Sequence, residues 1–213
     1  AAYEVGVLLK KKFKLAIFNP LLIAIIAVIA VLCLLHIDYD TYNQSGQYIS
    51  YLLTPATVCL AVPLYQQMEL LKKNLKAVIV GIVSGVLASM VSVLIFAKLF
   101  GLSHSEYVTL LPKSITTAIG MGVSEELGGV VTITVAVIVI TGVLGNVISD
   151  LVCKLFRLEE PVAKGLALGT AAHAIGTAKA MELGEIEGAM SSLAIAVAGL
   201  LTVVTSSVFA SLM

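Results

Sequence analysis

The sequence predicts an all-α, polytopic integral membrane protein, and three observations carry that prediction. Of its 213 residues 59% are apolar and only 12% are charged, against roughly 25% charged in a typical soluble domain, and the mean hydropathy is +1.06. The charges gather in short clusters, leaving apolar runs of about 20 residues, the length a helix needs to cross a hydrocarbon core of roughly 30 Å. These runs lack the period-2 alternation of barrel strands. Lipid offers no partner to backbone N–H and C=O groups, so helices are the remaining solution.

Composition and motifs also narrow the function. Formal net charge is zero, so no global field points to nucleic acid. Cys33, Cys59 and Cys153 lie far apart with no CxxC or zinc spacing, and they read as small hydrophobes. No cofactor or metal is implied. A Walker-type phosphate loop, HExxH, GxSxG and paired intramembrane carboxylates are all missing from the sequence, which argues against an enzyme. The expectation is a multi-pass protein of the cell (inner or plasma) membrane, embedded in the lipid bilayer.

Residues 3–9 form a short apolar fragment running into Lys10-Lys11-Lys12-Phe13-Lys14, and read as the tail of an earlier span that the sequence lacks. Residues 15–35 are a continuous apolar run, left through the polar stretch 38–47. Residues 48–71 are apolar but interrupted by Pro55 and Pro63, with Thr54, Thr57, Tyr65 and Gln66 inside, and are expected to be a discontinuous membrane segment. Residues 77–100 are a regular span in which Gly81, Gly85, Ser89 and Ser92 put small residues on one face, a pattern that favours close helix packing. Residues 101–129 carry Pro112, Lys113, the hydroxyls of Ser114, Thr116 and Thr117, the pair Glu125-Glu126 and several glycines, a poor lipid-facing helix. Residues 130–156 are a clean span. Residues 164–183, rich in glycine, threonine and alanine around His173, are the second discontinuous segment, and 188–213 the last span.

Lys/Arg clusters near span ends tend to be cytoplasmic. Placing residues 10–14, 72–76 and 154–164 all inside makes 101–129 begin and end outside, as a re-entrant loop. Met68-Glu69-Leu70 recurs as Met181-Glu182-Leu183, an offset of 113, under which Gly81, Gly85, Ser89 and Ser92 match Ala194, Ala198, Thr202 and Thr205. The expectation is one transmembrane domain, 1–213, built as inverted repeats of roughly 1–100 and 101–213, the plan of secondary transporters with a site at midplane. An elevator-like movement of the broken segments fits that plan.

Lys113 is the most informative residue, because a lysine at the bilayer centre costs about 2.5–3.5 kcal/mol on insertion scales. Pro112 suits a first helical turn, so Ser114, Thr116 and Thr117 can present hydroxyls and free N–H groups near a half-helix N-terminus, which with the ammonium makes an anion site. Snorkelling of Lys113 to the headgroups is the alternative. His173, among Thr170, Thr177 and Lys179, is either a proton carrier or a neutral ring bonded to a backbone carbonyl. Lys179 and Glu182, three apart, read as an ion pair. Thr57 is a candidate partner for carbonyls released by the prolines.

Three segments resemble the signatures of one family. Pro55-Ala56-Thr57-Val58-Cys59-Leu60-Ala61-Val62-Pro63-Leu64-Tyr65, Leu111-Pro112-Lys113-Ser114-Ile115-Thr116-Thr117 and Gly165-Leu166-Ala167-Leu168-Gly169-Thr170-Ala171-Ala172-His173-Ala174-Ile175-Gly176-Thr177-Ala178 occur in the order found in the LrgB/CidB family. The resemblance covers nearly the whole chain, with Ala118 where members often carry proline and an unusually acidic Glu125-Glu126. It implies two functions of different class. One is secondary transport of small carboxylates such as glycolate, glycerate or pyruvate, with proton coupling as an option. The other is holin-like or antiholin-like modulation of murein hydrolase activity and autolysis, with a small LrgA/CidA-type membrane partner. On the transport reading Lys113 pairs with the carboxylate, Ser114, Thr116, Thr117 and Thr170 bond its oxygens, Thr177 and Thr57 are further substrate-binding candidates, and His173 orients the site or carries a coupled proton. Small-residue faces also permit a homodimer.

Overall fold

A computed structural model describes residues 2–13, 18, 20–52, 55, 59, 61–66 and 68–213, and every regular element among them is a helix. In chain order these are α1 (Ala2–Phe13), α2 (Pro20–Leu34), α3 (Tyr39–Ser50), α4 (Ala61–Gln66), α5 (Met68–Lys73), α6 (Leu75–Phe100), α7 (His104–Leu110), α8 (Thr117–Glu126), α9 (Val131–Leu155), α10 (Pro161–Leu183) and α11 (Glu185–Ala210). By packing they fall into two compact units, Ala1–Leu60 and Ala61–Met213.

In the first unit α1 packs against the start of α2, close enough that a side chain at Gly6 would meet the Pro20 backbone at 2.6 Å. Helix α2 is the described part of the run expected at 15–35. Its 15 residues are apolar on every side, as a helix surrounded by lipid or protein requires. Residues 38–47, read from sequence as a polar exit, instead open the helix α3. Asp38 starts it by accepting from the Thr41 amide at 3.1 Å and the Thr41 hydroxyl at 2.7 Å. The discontinuous segment at 48–71 includes the six-residue helices α4 and α5. Thr57 and Thr54 lie outside the described residues.

Three helices of the second unit, α6, α9 and α11, are long and apolar enough to cross a membrane, at 26, 25 and 26 residues. At 1.5 Å per residue each runs roughly 38 Å. On α6 the buried positions are Val78, Ile82, Val86, Met90, Val93 and Ala97, a stripe at intervals of three and four that packs on Ala189, Met190, Ala194 and Ala198 of α11. Val80, Leu144 and Leu200, on α6, α9 and α11, are 66%, 55% and 66% exposed. Such broad apolar exposure is a surface for lipid.

Between the spans the chain forms two helical hairpins. In the first, α7 and α8 are joined by the tip 111–116. Seven and ten residues reach only about 10 and 15 Å, too short to cross. The two ends meet, because Ser105 Oγ near the start of α7 donates to the Gly128 carbonyl just beyond α8 at 3.2 Å. The segment thus begins and ends close together, the geometry that a re-entrant loop requires. Ser103 and Glu106 close the N-terminus of α7 as a capping box, and the Ser103 hydroxyl and amide hold the Glu106 carboxyl below its ordinary range. Thr109 locks the arms: its hydroxyl accepts from the Val130 amide at 2.8 Å, and its carbonyl accepts from the Thr134 hydroxyl at 2.9 Å. Thr134 also bonds Ser124 Oγ of α8 at 2.7 Å.

The second hairpin is α10 itself. Helical geometry fails at Ala172 (φ −125°, ψ 15°) and His173 (φ 42°, ψ −136°), and the chain turns back. A side chain at Gly176 would strike the Leu168 carbonyl, although eight residues of straight helix would separate the two by roughly 12 Å. Contacts with α11 trace the reversal. On the first arm Gly165 meets Glu187 and Gly169 meets Ser191, whereas on the second arm Thr177 bonds Ser191 and Met181 meets Gly188. The left-handed φ at His173 costs a non-glycine residue on the order of 1–3 kcal/mol. Packing holds it there, since the ring fills the space left by the missing side chain of Gly142.

The small face of α6 serves the expected packing role. Gly81 lets Leu166 approach and Gly85 lets Thr170 approach, where an added Cβ would sit 3.4 and 2.6 Å from their side chains. One substitution should therefore have opposite effects at two glycines. Gly169→Ala drives a methyl into the Ser191 backbone and is expected to destabilise by about 1–3 kcal/mol. Gly122→Ala, on α8 with nothing within 4 Å, is expected to stabilise by about 0.5–1 kcal/mol. Thermal unfolding in detergent micelles reads both.

Candidate functional site

Pro112 lacks an N–H and cannot continue α7, so the chain leaves the helix at the tip of the first hairpin. There Lys113 is half-buried. Its Nζ donates to Ser114 Oγ at 2.8 Å and to Ser89 Oγ of α6 at 3.2 Å, and the two serine oxygens are 3.2 Å apart. Among the described residues Lys113 has no carboxylate partner. An ammonium held by neutral hydroxyls alone keeps its full charge uncompensated, and in a weakly screening interior it attracts an anion strongly.

Thr116 occupies the N-cap position of α8 with extended backbone but makes no side-chain cap bond. The first-turn amides of α8, starting with Thr117, find no acceptor among the described residues. They add donors of the same sign to the tip.

Thr170, near the tip of the second hairpin, completes the arrangement. It is 7% exposed, and its Oγ1 has no hydrogen-bond partner among the described residues. Together with Ser89, Ser114 and Thr202 it lines a small cavity whose other walls include Met90, Leu111 and Ala198. A buried, unbonded hydroxyl costs about 1–3 kcal/mol, and the cavity it faces, about 10 Å³, has room for about one water. The hydroxyls and the tips of both hairpins converge here, and the Lys113 ammonium, outside the lining itself, holds two of those hydroxyls, Ser89 and Ser114.

Other residues singled out from the sequence lie elsewhere. His173 Nε2 donates to the Ile138 carbonyl of α9 at 2.9 Å, so Nε2 carries a proton and the ring is bonded to a backbone carbonyl. The Thr177 hydroxyl donates to the His173 carbonyl at 3.1 Å and shares a 2.7 Å bond with Ser191. Both residues hold the second hairpin together and do not line the cavity. Lys179 pairs across to Asp150 of α9 at 3.0 Å, where sequence spacing had suggested Glu182. Sequence reasoning missed Ser89 and Thr202 as cavity residues. The available signal was that the 113-residue offset sets one against the other.

Fold and site thus define a helical membrane protein in which two hairpins meet at a small hydroxyl-lined cavity, with the Lys113 ammonium bonded to two of its serines. The chain belongs to the LrgB-like family, whose model matches residues 1–212. It is similar to the antiholin-like protein LrgB of Bacillus mycoides (strain KBAB4), of Bacillus cereus (strain B4264) and of Bacillus anthracis (strain CDC 684 / NRRL 3495). Each is 41% identical over 209 residues, covering 98% of this chain and 91% of the relative. No solved structure matches the chain.

Two isosteric substitutions separate a ligand-facing hydroxyl from a structural one. Thr170→Val removes an oxygen with no partner and is expected to leave stability unchanged or raise it by about 1 kcal/mol. Thr134→Val strands Ser124 and the Thr109 carbonyl and is expected to cost about 1–3 kcal/mol. Chemical denaturation in micelles distinguishes them.

Proposed function

We propose that the chain is an antiholin-like protein of the cell membrane, modulating murein hydrolase activity and autolysis together with a small LrgA/CidA-type membrane partner. What supports this is its similarity, across nearly its full length, to relatives named antiholin-like protein LrgB. The exposed apolar faces of α6, α9 and α11 supply surface on which a membrane partner or a second copy of the chain can pack. Neither this reading nor the next gives the chain a catalytic step.

A second reading rests on one observation of geometry, the Lys113 ammonium held only by serine hydroxyls beside the unbonded Thr170. It makes the chain a secondary transporter of small carboxylates. The solute's carboxylate takes the Lys113 ammonium, the Thr116 hydroxyl and the Thr117 amide that opens α8, while Ser89, Ser114 and Thr170 bond its remaining oxygens. Two parallels between the halves favour this reading. Ser89 and Thr202, matched by the repeat offset, both line the cavity. The 26-residue helices α6 and α11 each follow a shorter helix after a one-residue junction, Asn74 and Gly184. A protein acting only by contact has no use for an uncompensated buried cation. Proton coupling through His173 finds less support, because the ring is bonded to Ile138 away from the cavity.

Uptake of labelled glycolate, pyruvate and lactate into proteoliposomes separates the two. The carrier reading expects saturable uptake that falls at least tenfold in Lys113→Gln while insertion is unchanged. Absence of uptake under any proton gradient by demonstrably folded protein removes that reading. Changed murein hydrolase activity in cells lacking the chain then supports the antiholin-like one.

A further inference from the structure

A second charged site lies apart from the cavity, where α9 ends and α10 begins. Arg157 adopts a left-handed φ of 52°, and the Leu158 amide bonds back to the Cys153 carbonyl at 2.8 Å, which closes α9 with a Schellman-type turn. The connection into α10 borders a groove of about 410 Å³ whose walls include Lys154, Arg157 and Lys164. None of these three cations has a carboxylate partner among the described residues. Two carboxylates also line the groove, Asp150 and Glu159. Asp150 is already committed to Lys179 at 3.0 Å, so three cations face one remaining acid.

The depth of the groove identifies its ligand. It sits at the end of a 25-residue apolar span, and Leu151, Leu155 and Phe156 at that end are 67%, 71% and 68% exposed. Apolar side chains that open outward beside unpaired cations mark the level where acyl chains give way to headgroups. A free phosphate would be drawn by the same cations but gains nothing from the apolar rim.

We propose that this groove binds the phosphate of an acidic phospholipid headgroup, with the acyl chains lying along the end of α9. By the distribution of Lys and Arg the lipid belongs to the cytoplasmic leaflet. The site is independent of both functional readings given above. Lys164 stands on the first arm of the second hairpin and Leu183 ends the second arm, and both wall the groove. The bound lipid therefore ties the root of that hairpin to α9.

The test uses the full chain in micelles doped with phosphatidylglycerol or phosphatidylcholine, with retained lipid counted by native mass spectrometry. Preferential retention of phosphatidylglycerol is expected. It should weaken about fivefold for each cation neutralised, and on the order of a hundredfold in a Lys154→Gln, Arg157→Gln, Lys164→Gln triple variant. A second triple variant, Lys72→Gln, Lys73→Gln, Lys76→Gln, should retain the preference. Equal retention by wild type and the first variant, with matching melting temperatures, overturns the assignment. Equal loss in both variants overturns it as well, since that indicates a diffuse charge effect. Displacement of phosphatidylglycerol by inorganic phosphate at millimolar concentration would show a free-anion site instead.

Discussion

Backbone amides and carbonyls cannot be left unpaired against lipid, and this one constraint governs where the chain is allowed to stop being helical. Breaks occur at 111–116 and at Ala172 and His173, and at each the chain is shielded by surrounding protein. Leu111, Ser114 and Ile115 are buried at the first tip, and Ala172 and His173 at the second. The lipid-facing helices α6, α9 and α11 run without such interruption. Among the described residues of the second unit, the breaks at both hairpin tips thus lie in a protein-walled interior, which is where a polar site can be kept.

Keeping the second break in place depends on small residues. Gly165 and Gly169 let the first arm lie against the backbone of α11, Gly176 lets the arms approach each other, and Gly142 and Gly145 admit His173 and Ala172 from α9. The His173–Ile138 bond and the Thr177–Ser191 bond then fix the tip. Residues that resembled site chemistry in the sequence turn out to position Thr170, whose own hydroxyl is left unbonded. At the first tip the corresponding roles fall to Thr109, Ser124 and Thr134, while Lys113 and Ser114 face inward to Ser89.

Much of this was legible in the sequence because lipid imposes a simple code. The spans at 77–100, 130–156 and 188–213 correspond to α6, α9 and α11 within three residues at each end, since apolar length and flanking charge decide them. The broken nature of 101–129 and 164–183 was readable from Pro112 and from the glycines. The reversal inside α10 was not, because a kink and a full turn share one composition and differ only in the dihedrals of two residues. Helix α3 was hidden because its sequence is too polar on average to read as a membrane segment; the Asp38 cap marks its start. Lys113 stood out by its cost in lipid. Ser89 did not, since a serine continuing a Gly81-Gly85 stripe looks like packing until the hairpin tip is placed beside it. The family was likewise legible. Its relatives' names favour antiholin-like action, whereas the polar site had suggested transport.

The central claim is that the Lys113 tip lies inside the protein against α6, and a cysteine pair tests it most directly. With Cys33, Cys59 and Cys153 changed to alanine, Ser89→Cys and Ser114→Cys are introduced together into the full chain and oxidised in native membranes. The two native oxygens are 3.2 Å apart, so an intramolecular disulfide, detected as a reducible mobility shift, is the predicted result. Failure to form it in a variant that inserts normally, while both thiols remain free to react with a maleimide, would contradict the account.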